Sequence, residues 1–159
     1  MQKFKWENPA IIKENKEDGH VLALPYDDVE SALSDEACRY KQTLNGQWKF
    51  FWQQGIKNQP AGFEAVDFDD SEWDEIAVPS VWQTEGYSVP LYYASTFPKA
   101  ISRSKMAIPS INHKLQEIGF YRRRFELDDA WQGREIFLHF GAAKAALEVY
   151  VNGKYVGYS

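Results

Sequence analysis

The chain has one cysteine, three histidines and no long apolar run among its 159 residues. A single thiol, Cys38, excludes an intrachain disulfide and a cysteine-based zinc site, and it is typical of a reducing compartment. No stretch approaches the roughly 20 apolar residues that cross a bilayer, and the first residues show no apolar signal-peptide core. We therefore expect a cytoplasmic protein with no membrane partner; a periplasmic location would require that a signal peptide had been removed.

Basic residues are fewer than acidic ones: 18 Lys and Arg against 23 Asp and Glu give a net charge of −5. Nucleic-acid binding needs a basic field, so we expect no nucleic-acid partner. The sequence contains no zinc-protease, nucleophile-elbow, phosphate-loop or dinucleotide-binding motif. His20, His113 and His139 are isolated from one another, which favours surface or hydrogen-bonded roles over metal ligation. We predict no catalytic residue, no metal site and no bound cofactor in this chain.

Two kinds of charged cluster need an interpretation. Adjacent aspartates occur at 27–28, 69–70 and 128–129, each in a turn-like segment. Hydrolytic carboxylates must flank one bond from separate elements, whereas neighbouring aspartates in turns usually cap backbone amides. Arg122, Arg123 and Arg124 follow one another in a predicted strand, where successive side chains point to opposite faces. We expect structural ion pairs from these arginines rather than an anion-binding patch.

Aromatic residues are abundant, at 16% of the chain, and many alternate with polar residues in short runs. This period of two predicts strands at 47–52, 76–78, 120–127 and 134–140, with Ile136, Leu138 and Phe140 facing inward in the last one. Residues 69–73 are typical of a helical turn with an Asp or Ser cap. Short strands separated by turn signals predict an all-β fold, a sandwich or a jelly roll.

Asn152-Gly153 is the strongest local signal, because it lies between two alternating runs. Both residues of a two-residue type I′ turn need positive φ, which Asn and Gly adopt readily. The outer edge of the second strand, residues 154–159, has no predicted partner, so we expect either self-association along it or marginal stability. The turn predicts four cross-strand pairs: Val151 with Lys154, Tyr150 with Tyr155, Val149 with Val156, and Leu147 with Tyr158.

A turn-rich stretch after residue 80 carries large aromatic side chains. One hypothesis is that they form a sugar-facing rim together with nearby polar residues. The alternative is that Trp82 and Tyr92 plug the end of the sandwich. The aromatic members are Trp82, Tyr87, Tyr92, Tyr93 and Phe97, and the polar ones are Gln83, Ser95, Thr96 and Asn112.

Several short motifs, taken in order, resemble one protein family. They cover nearly the whole chain, and their order and spacing are more specific than any one of them. They are Trp6-Glu7-Asn8-Pro9, Leu44-Asn45-Gly46-Gln47-Trp48-Lys49-Phe50, Val78-Pro79-Ser80-Val81-Trp82-Gln83, Gly86-Tyr87 with Pro90-Leu91-Tyr92, Gly119-Phe120-Tyr121-Arg122-Arg123, and Phe137-Leu138-His139-Phe140-Gly141 with residues 149–159. Together they resemble the N-terminal jelly-roll domain of glycoside hydrolase family 2 β-galactosidases, and the first motif favours that activity over β-glucuronidase or β-mannosidase.

The resemblance implies a galactose-binding-domain-like jelly-roll β-sandwich at residues 44–159, truncated before its last strands, with residues 1–43 wrapping over it as part of the same domain. It implies a parent enzyme that hydrolyses terminal β-D-galactosides such as lactose with retention of configuration. The catalytic glutamates would lie in a TIM barrel of about 250 residues, which this chain cannot contain. The fragment alone is then expected to be inactive, and its partners would be the remaining domains of the parent.

Mg²⁺ and Na⁺ are used by members of this family, with ligands that would lie outside this chain. Two other hypotheses stay open at this point: a stand-alone carbohydrate-binding module without catalysis, and a scaffold without a ligand. Galactose binding without hydrolysis would favour the module.

One substrate contact of the family falls within the sequence. Family members often carry an Asn, in a Tyr-Thr-Asn run, that reaches the galactose. The matching residues are Tyr93, Ala94 and Ser95, and Ala94 occupies the Asn position. A methyl group neither donates nor accepts a hydrogen bond. The substitution implies altered specificity, a contact supplied by a neighbour, or no contribution from this loop.

Overall fold

A computed structural model describes residues 4–34, 38–90, 112–144 and 146–159. Two antiparallel sheets carry the fold: a three-stranded sheet in the order β2-β1-β3 and a two-stranded ribbon of β4 and β5. The strands are β1 (Gly46–Gln54), β2 (Asp74–Val78), β3 (Glu117–Arg122), β4 (Glu148–Val151) and β5 (Lys154–Tyr158). The helices are α1 (Val29–Leu33) and two 3₁₀ turns, Lys5–Glu7 and Asp129–Trp131.

The all-β prediction is confirmed, and jelly-roll connectivity stays a prediction. The strands predicted at 47–52 and 76–78 are confirmed as β1 and β2, each slightly longer than expected. Within the described residues, no helix is both long and apolar enough to cross a bilayer.

Strand β1 lies at the centre of the larger sheet and carries aromatic side chains on both faces. Phe50 is completely buried and packs against Tyr121 of β3, with ring centroids 4.6 Å apart. Phe51 points to the opposite face, where it contacts Trp73 and Phe120. Since successive side chains of a strand alternate between faces, both sides of the sheet hold a packed aromatic cluster.

The helical turn predicted for residues 69–73 does not form. These residues make a single hydrogen-bonded turn before β2. The Asp69 carboxylate accepts a hydrogen bond from the Ser71 amide, and the Trp73 amide donates to the Asp70 carbonyl. The expected Asp cap is therefore present, but it closes a single turn, after which β2 begins. Residues Val29–Leu33 form α1, which begins after Asp28, and Asp28 and Ser31 make a reciprocal capping box.

Two of the predicted strands are wrong, one in its bounds and one because it does not form. Strand β3 pairs with β1 only over Glu117–Arg122, so it starts and ends earlier than the predicted 120–127. Residues 134–140 form no strand, and Ile136, Leu138 and Phe140 are each between 38% and 46% exposed rather than inward-facing. A strand needs a hydrogen-bonding edge beside it, and among the described residues no strand supplies one to this segment.

The ribbon forms around Asn152-Gly153, both at positive φ, as predicted. Tyr150 pairs with Tyr155 and Val151 with Lys154. Farther from the turn the predicted pairs are wrong by one residue, since Val149 lies opposite Gly157 and Glu148 opposite Tyr158. A β-bulge at Val156 accounts for the shift, because two residues of β5 then oppose one of β4.

The N-terminal segment covers part of the outer edge of β5, which the sequence left without a partner. Glu14 and Tyr158 exchange two backbone hydrogen bonds of 3.0 Å. The Asn15 side chain donates to the Val156 carbonyl at 2.9 Å. The expectation that this edge is open is therefore wrong over residues 156–158, whereas self-association of the chain stays a prediction.

Candidate functional site

Trp82 and Tyr87 cover the β1 face that carries Phe50. The ring centroids of Trp82 and Tyr87 lie 6.3 Å and 4.8 Å from that of Phe50. Gly119 of β3 makes room for them, because a Cβ at this position would lie 2.8 Å from atoms of both Phe50 and Trp82. The plug hypothesis for Trp82 therefore agrees with the structure. The role of Gly119 was missed, although a glycine inside an alternating apolar run indicates a close approach of this kind.

Two indole N–H groups on this face have no acceptor among the described residues. Trp52 Nε1 and Trp82 Nε1 are both buried, and neither has a hydrogen-bond partner in the part of the chain that the structure describes. A buried donor without an acceptor costs about 1–3 kcal/mol. Both groups therefore mark positions where a water molecule or another acceptor would be strongly favoured.

Polar side chains border the same aromatic face. The Tyr87 hydroxyl donates to the Asp74 carboxylate at 2.8 Å, and the Ser88 hydroxyl donates to the Glu117 carboxylate. Burial, together with the Asp74 carboxylate, raises the pKa of Tyr87 to about 12. At neutral pH the Tyr87 hydroxyl therefore stays protonated and donates a hydrogen bond to Asp74. This hydrogen bond ties the turn after β2 to the sheet.

Three of the residues predicted to contact substrate, Tyr93, Ala94 and Ser95, lie outside the described residues. Their role therefore stays a prediction, as does that of Tyr92, Thr96 and Phe97 in the aromatic rim. Asn112, the last polar member of that rim, uses its side-chain oxygen to accept from the Lys114 amide at 3.1 Å.

The adjacent aspartates have structural partners, as predicted. One member of each pair caps backbone amides. In the first pair, Asp27 binds Arg39 at 2.9 Å and accepts from the Tyr40 hydroxyl. In the second pair, Asp70 binds Arg122 at 2.9 Å. The capping members are Asp28, Asp69 and Asp128.

The three consecutive arginines diverge, as expected for a strand and its continuation. Arg122 contacts Asp70 and also donates to the carbonyls of Phe63 and Ala65. Arg123 points to the other face, donates to the Asn45 carbonyl at 3.1 Å and lies over the Trp48 ring. The predicted ion pairing is confirmed for Arg122, whereas Arg123 binds backbone and an aromatic ring.

His113 has the most buried environment of the three histidines. Its Nε2 lies 2.8 Å from the Glu7 carboxylate, and its ring meets Phe4 edge-on. His20 Nδ1 lies 2.7 Å from the Asp18 carbonyl, and His139 is exposed. No group of three His, Cys, Asp or Glu side chains comes together to hold a metal within the described residues.

A surface groove of about 420 Å³ lies away from the aromatic face, between residues 39–42 and residues 126–131. Its walls carry both cationic and anionic side chains together with Trp131. No local sequence pattern indicated this groove, because its two walls are far apart along the chain.

Comparison with known proteins matches residues 41–159 to the family model described as "Glycosyl hydrolases family 2, sugar binding domain". The chain is also 34% identical over 158 residues to the β-galactosidase of Priestia megaterium, covering 98% of this chain. It is 33% identical over 154 residues to the β-galactosidase of Psychromonas ingrahamii, covering 97% of this chain. The chain spans only 15% and 14% of the length of these two relatives. The resemblance inferred from the motifs is therefore confirmed, and the chain belongs to glycosyl hydrolase family 2, whose sugar binding domain it contains.

Proposed function

We propose that the chain serves as the sugar binding domain of a β-galactosidase that hydrolyses terminal β-D-galactosides. The observation that carries this proposal is the match of almost the entire chain to a small part of two β-galactosidases. Its partners would be the other domains of such an enzyme, and its substrate a lactose-like galactoside. Within that assembly the chain would form one wall of the sugar site and stabilise the neighbouring domains.

The arrangement of the aspartates supports the proposal that the catalytic carboxylates belong to other parts of the enzyme. Retaining glycosidases place two carboxyl groups about 5–5.5 Å apart on either side of the scissile bond. The aspartate pairs here instead cap amides or bind arginines. We accordingly propose that the catalytic acid/base and nucleophile lie in other domains, as do the ligands of any Mg²⁺ or Na⁺ that the enzyme uses.

The described residues on either side of 91–111 support the proposal that Tyr93, Ala94 and Ser95 belong to the sugar-facing wall. The Ser88–Glu117 hydrogen bond joins the two flanks of this stretch. Trp82 and Tyr87 anchor the first flank to β1, and β3 forms the second. The described flanks on either side of the stretch thus meet at one end of the three-stranded sheet.

A domain-replacement chimera tests the proposal. In it, this chain replaces the aligned segment of the Priestia megaterium β-galactosidase, and hydrolysis of a chromogenic β-galactoside is measured. We expect an active chimera, whereas the relative with the segment deleted and the isolated chain are expected to be inactive. Circular dichroism and size-exclusion chromatography verify that the chimera is folded. A folded but inactive chimera, or release of galactose by the isolated chain, would contradict the proposal.

The chimera also tests the predicted substrate contact. Ala94→Asn introduces an amide that can hydrogen-bond a sugar hydroxyl, which a methyl group cannot. We expect a KM for the galactoside about three- to tenfold lower, the effect of one net hydrogen bond. An unchanged KM would remove Ala94 from the proposed wall without affecting the assignment of the domain.

A further inference from the structure

We propose that the groove between residues 39–42 and residues 126–131 binds a neutral saccharide. This would be a second carbohydrate site, separate from the wall proposed at Tyr93, Ala94 and Ser95. The inference goes beyond the proposed function, because it concerns binding by this chain alone and requires no hydrolysis.

Hydrogen bonds between side chains and backbone hold the two walls of the groove together. Gln42 Nε2 donates to the Glu126 carbonyl at 3.0 Å. Trp131 Nε1 donates to the Arg39 carbonyl at 3.1 Å. The volume of about 420 Å³ lies within the range of about 300–1,000 Å³ that is typical of small-molecule sites. The groove is thus built from fixed elements and is large enough for a small ligand.

The charges of the groove favour a neutral ligand over an ion. The lining contains Arg39 and Lys41 together with Glu126 and Asp128, and Arg39 is also paired with Asp27, so the groove carries charges of both signs and no excess of positive charge. An anion such as phosphate would be repelled by the carboxylates, and a cation by Arg39 and Lys41. A sugar hydroxyl both donates and accepts, so it can use both kinds of side chain at once.

Two of these polar groups use only part of their hydrogen-bonding capacity within the described residues. Asp128 accepts from the Ala130 amide at 2.8 Å, which occupies one of the roughly four lone-pair positions of a carboxylate. Gln42 retains its side-chain oxygen beside the amide group that binds Glu126. Planar groups with donors and acceptors in fixed positions suit a ligand whose hydroxyls also have a fixed arrangement.

Trp131 supplies the apolar component that a pyranose ring requires. Its indole is half-buried at the end of the 3₁₀ turn Asp129–Trp131, and its N–H is fixed by Arg39. Tyr40, next to Arg39 in the chain, holds the guanidinium groups of Arg39 and Arg134 at 4.7 Å and 4.2 Å from its ring centroid. A fixed aromatic face loses little entropy when the C–H face of a sugar packs against it.

Titration of the 159-residue chain with galactose and with lactose, followed by ¹H–¹⁵N NMR, tests this inference. We expect the indole N–H signal of Trp131 to shift and saturate with a Kd in the millimolar range. The signals of Trp6 and Trp73, which lie outside both proposed sugar sites, serve as internal references. Inorganic phosphate is the charged probe, and we expect no saturable shift with it. Absence of saturation with both sugars, or an equal response to phosphate, would overturn the inference.

Variants locate the binding. Trp131→Ala is expected to abolish the saturable response, read from the backbone amides of residues 39–42. Trp6→Ala, which removes a half-buried indole stacked on Phe4, is the matched control and should bind normally. If Trp131→Ala is unfolded, Gln42→Ala replaces it and is expected to weaken binding about three- to tenfold. Its control is Gln54→Ala, at the exposed end of β1. Unchanged affinity in the folded groove variants would overturn the inference.

Discussion

The three-stranded sheet and residues 134–140 are both rich in large apolar side chains, but they bury them to very different extents. Phe50 and Ile76 in the sheet are 0% and 1% exposed, whereas Phe137 is 66% exposed. In the sheet, β1 has a hydrogen-bonded neighbour on each side and aromatic clusters on each face. Burial here thus follows from backbone pairing, since an extended segment cannot enter a core while its amides and carbonyls lack partners.

The largest expected contrast comes from deleting one phenyl ring in each region. Phe50→Ala is expected to lower the free energy of unfolding by about 4 kcal/mol, because it leaves a cavity among Trp82, Tyr87 and Tyr121. Phe137→Ala is expected to change it by less than about 0.5 kcal/mol. Urea denaturation measures both. Equal losses would show that residues 134–140 are as well packed as the sheet.

A smaller contrast is expected between neighbouring arginines. Arg122→Ala removes the partner of Asp70, whose side chain is only 16% exposed, and leaves the carbonyls of Phe63 and Ala65 without their donor. We expect a loss of about 3 kcal/mol. The matched control is Arg124→Ala, since Arg124 is exposed and lies beyond the end of β3. If thermal or urea denaturation gave the same result for both variants, the Arg122–Asp70 pair would not be stabilising the sheet.

Two glycines, one in β3 and one directly after residues 134–140, allow the same comparison of packing to be made by adding a single methyl group. Gly119→Ala places a Cβ 2.8 Å from Phe50 and Trp82, so we expect a loss of about 2 kcal/mol from overpacking. Gly141→Ala meets no atom within 4 Å and is expected to be neutral or slightly stabilising. Denaturation midpoints compare the two. A neutral Gly119→Ala would mean that the aromatic cluster can move apart at low cost.

The smallest effect concerns alkaline pH. The folded-state pKa of Tyr87, about 12, lies above the ordinary value of 10.0, so folding favours the neutral hydroxyl. This stabilisation is complete below pH 10.0 and is lost as the pH rises through about 12. Tyr87→Phe is therefore expected to flatten the loss of stability in that window, as measured by urea denaturation at several pH values. Asp74 and Glu85 are the acidic groups that contribute to the shift.

A tyrosine introduced into residues 134–140 allows the same pKa comparison to be made in the exposed region. A tyrosine at the exposed position 137, made by Phe137→Tyr, is expected to ionise near the ordinary value, because water solvates the phenolate there. Ultraviolet difference absorbance during an alkaline titration measures ionisation. A strongly raised pKa at position 137 would show that this segment is buried in solution.

The period of two predicted β1 and β2 because each is paired along most of its alternating run. It could not set the bounds of β3, whose length depends on the partner strand: Glu117 lies opposite Gln54, and Arg122 opposite Lys49. Beyond that point, Arg123 contacts the Asn45 carbonyl through its side chain. Alternation therefore reports which side chains are apolar, whereas strand length depends on an edge that comes from elsewhere in the sequence.

Local chemistry predicted part of the site, and long-range contacts account for what it missed. Aspartate caps follow from residue type, so Asp28, Asp69 and Asp128 were interpreted correctly. The bulge at Val156 lies beside a long-range contact that local patterns do not report. The Glu14 carbonyl packs so closely on Gly157 that a Cβ there would lie 2.8 Å from it. The groove beside Trp131 likewise depends on two hydrogen bonds, whose partners are separated by 84 and 92 positions along the chain.

The contact between the N-terminal segment and β5 has a consequence for the order of folding. Asn15 and Val156 are 141 residues apart, so their hydrogen bond closes almost the whole chain into one loop. The β4–β5 ribbon needs only its two-residue turn and can form within microseconds, whereas closing so long a loop costs more entropy and comes later. During synthesis on the ribosome, residues 14 and 15 therefore make these contacts only after β5 has been synthesised. Until then, the Glu14 backbone and the Asn15 side chain lack these partners, which leaves this part of the chain open to proteases and chaperones.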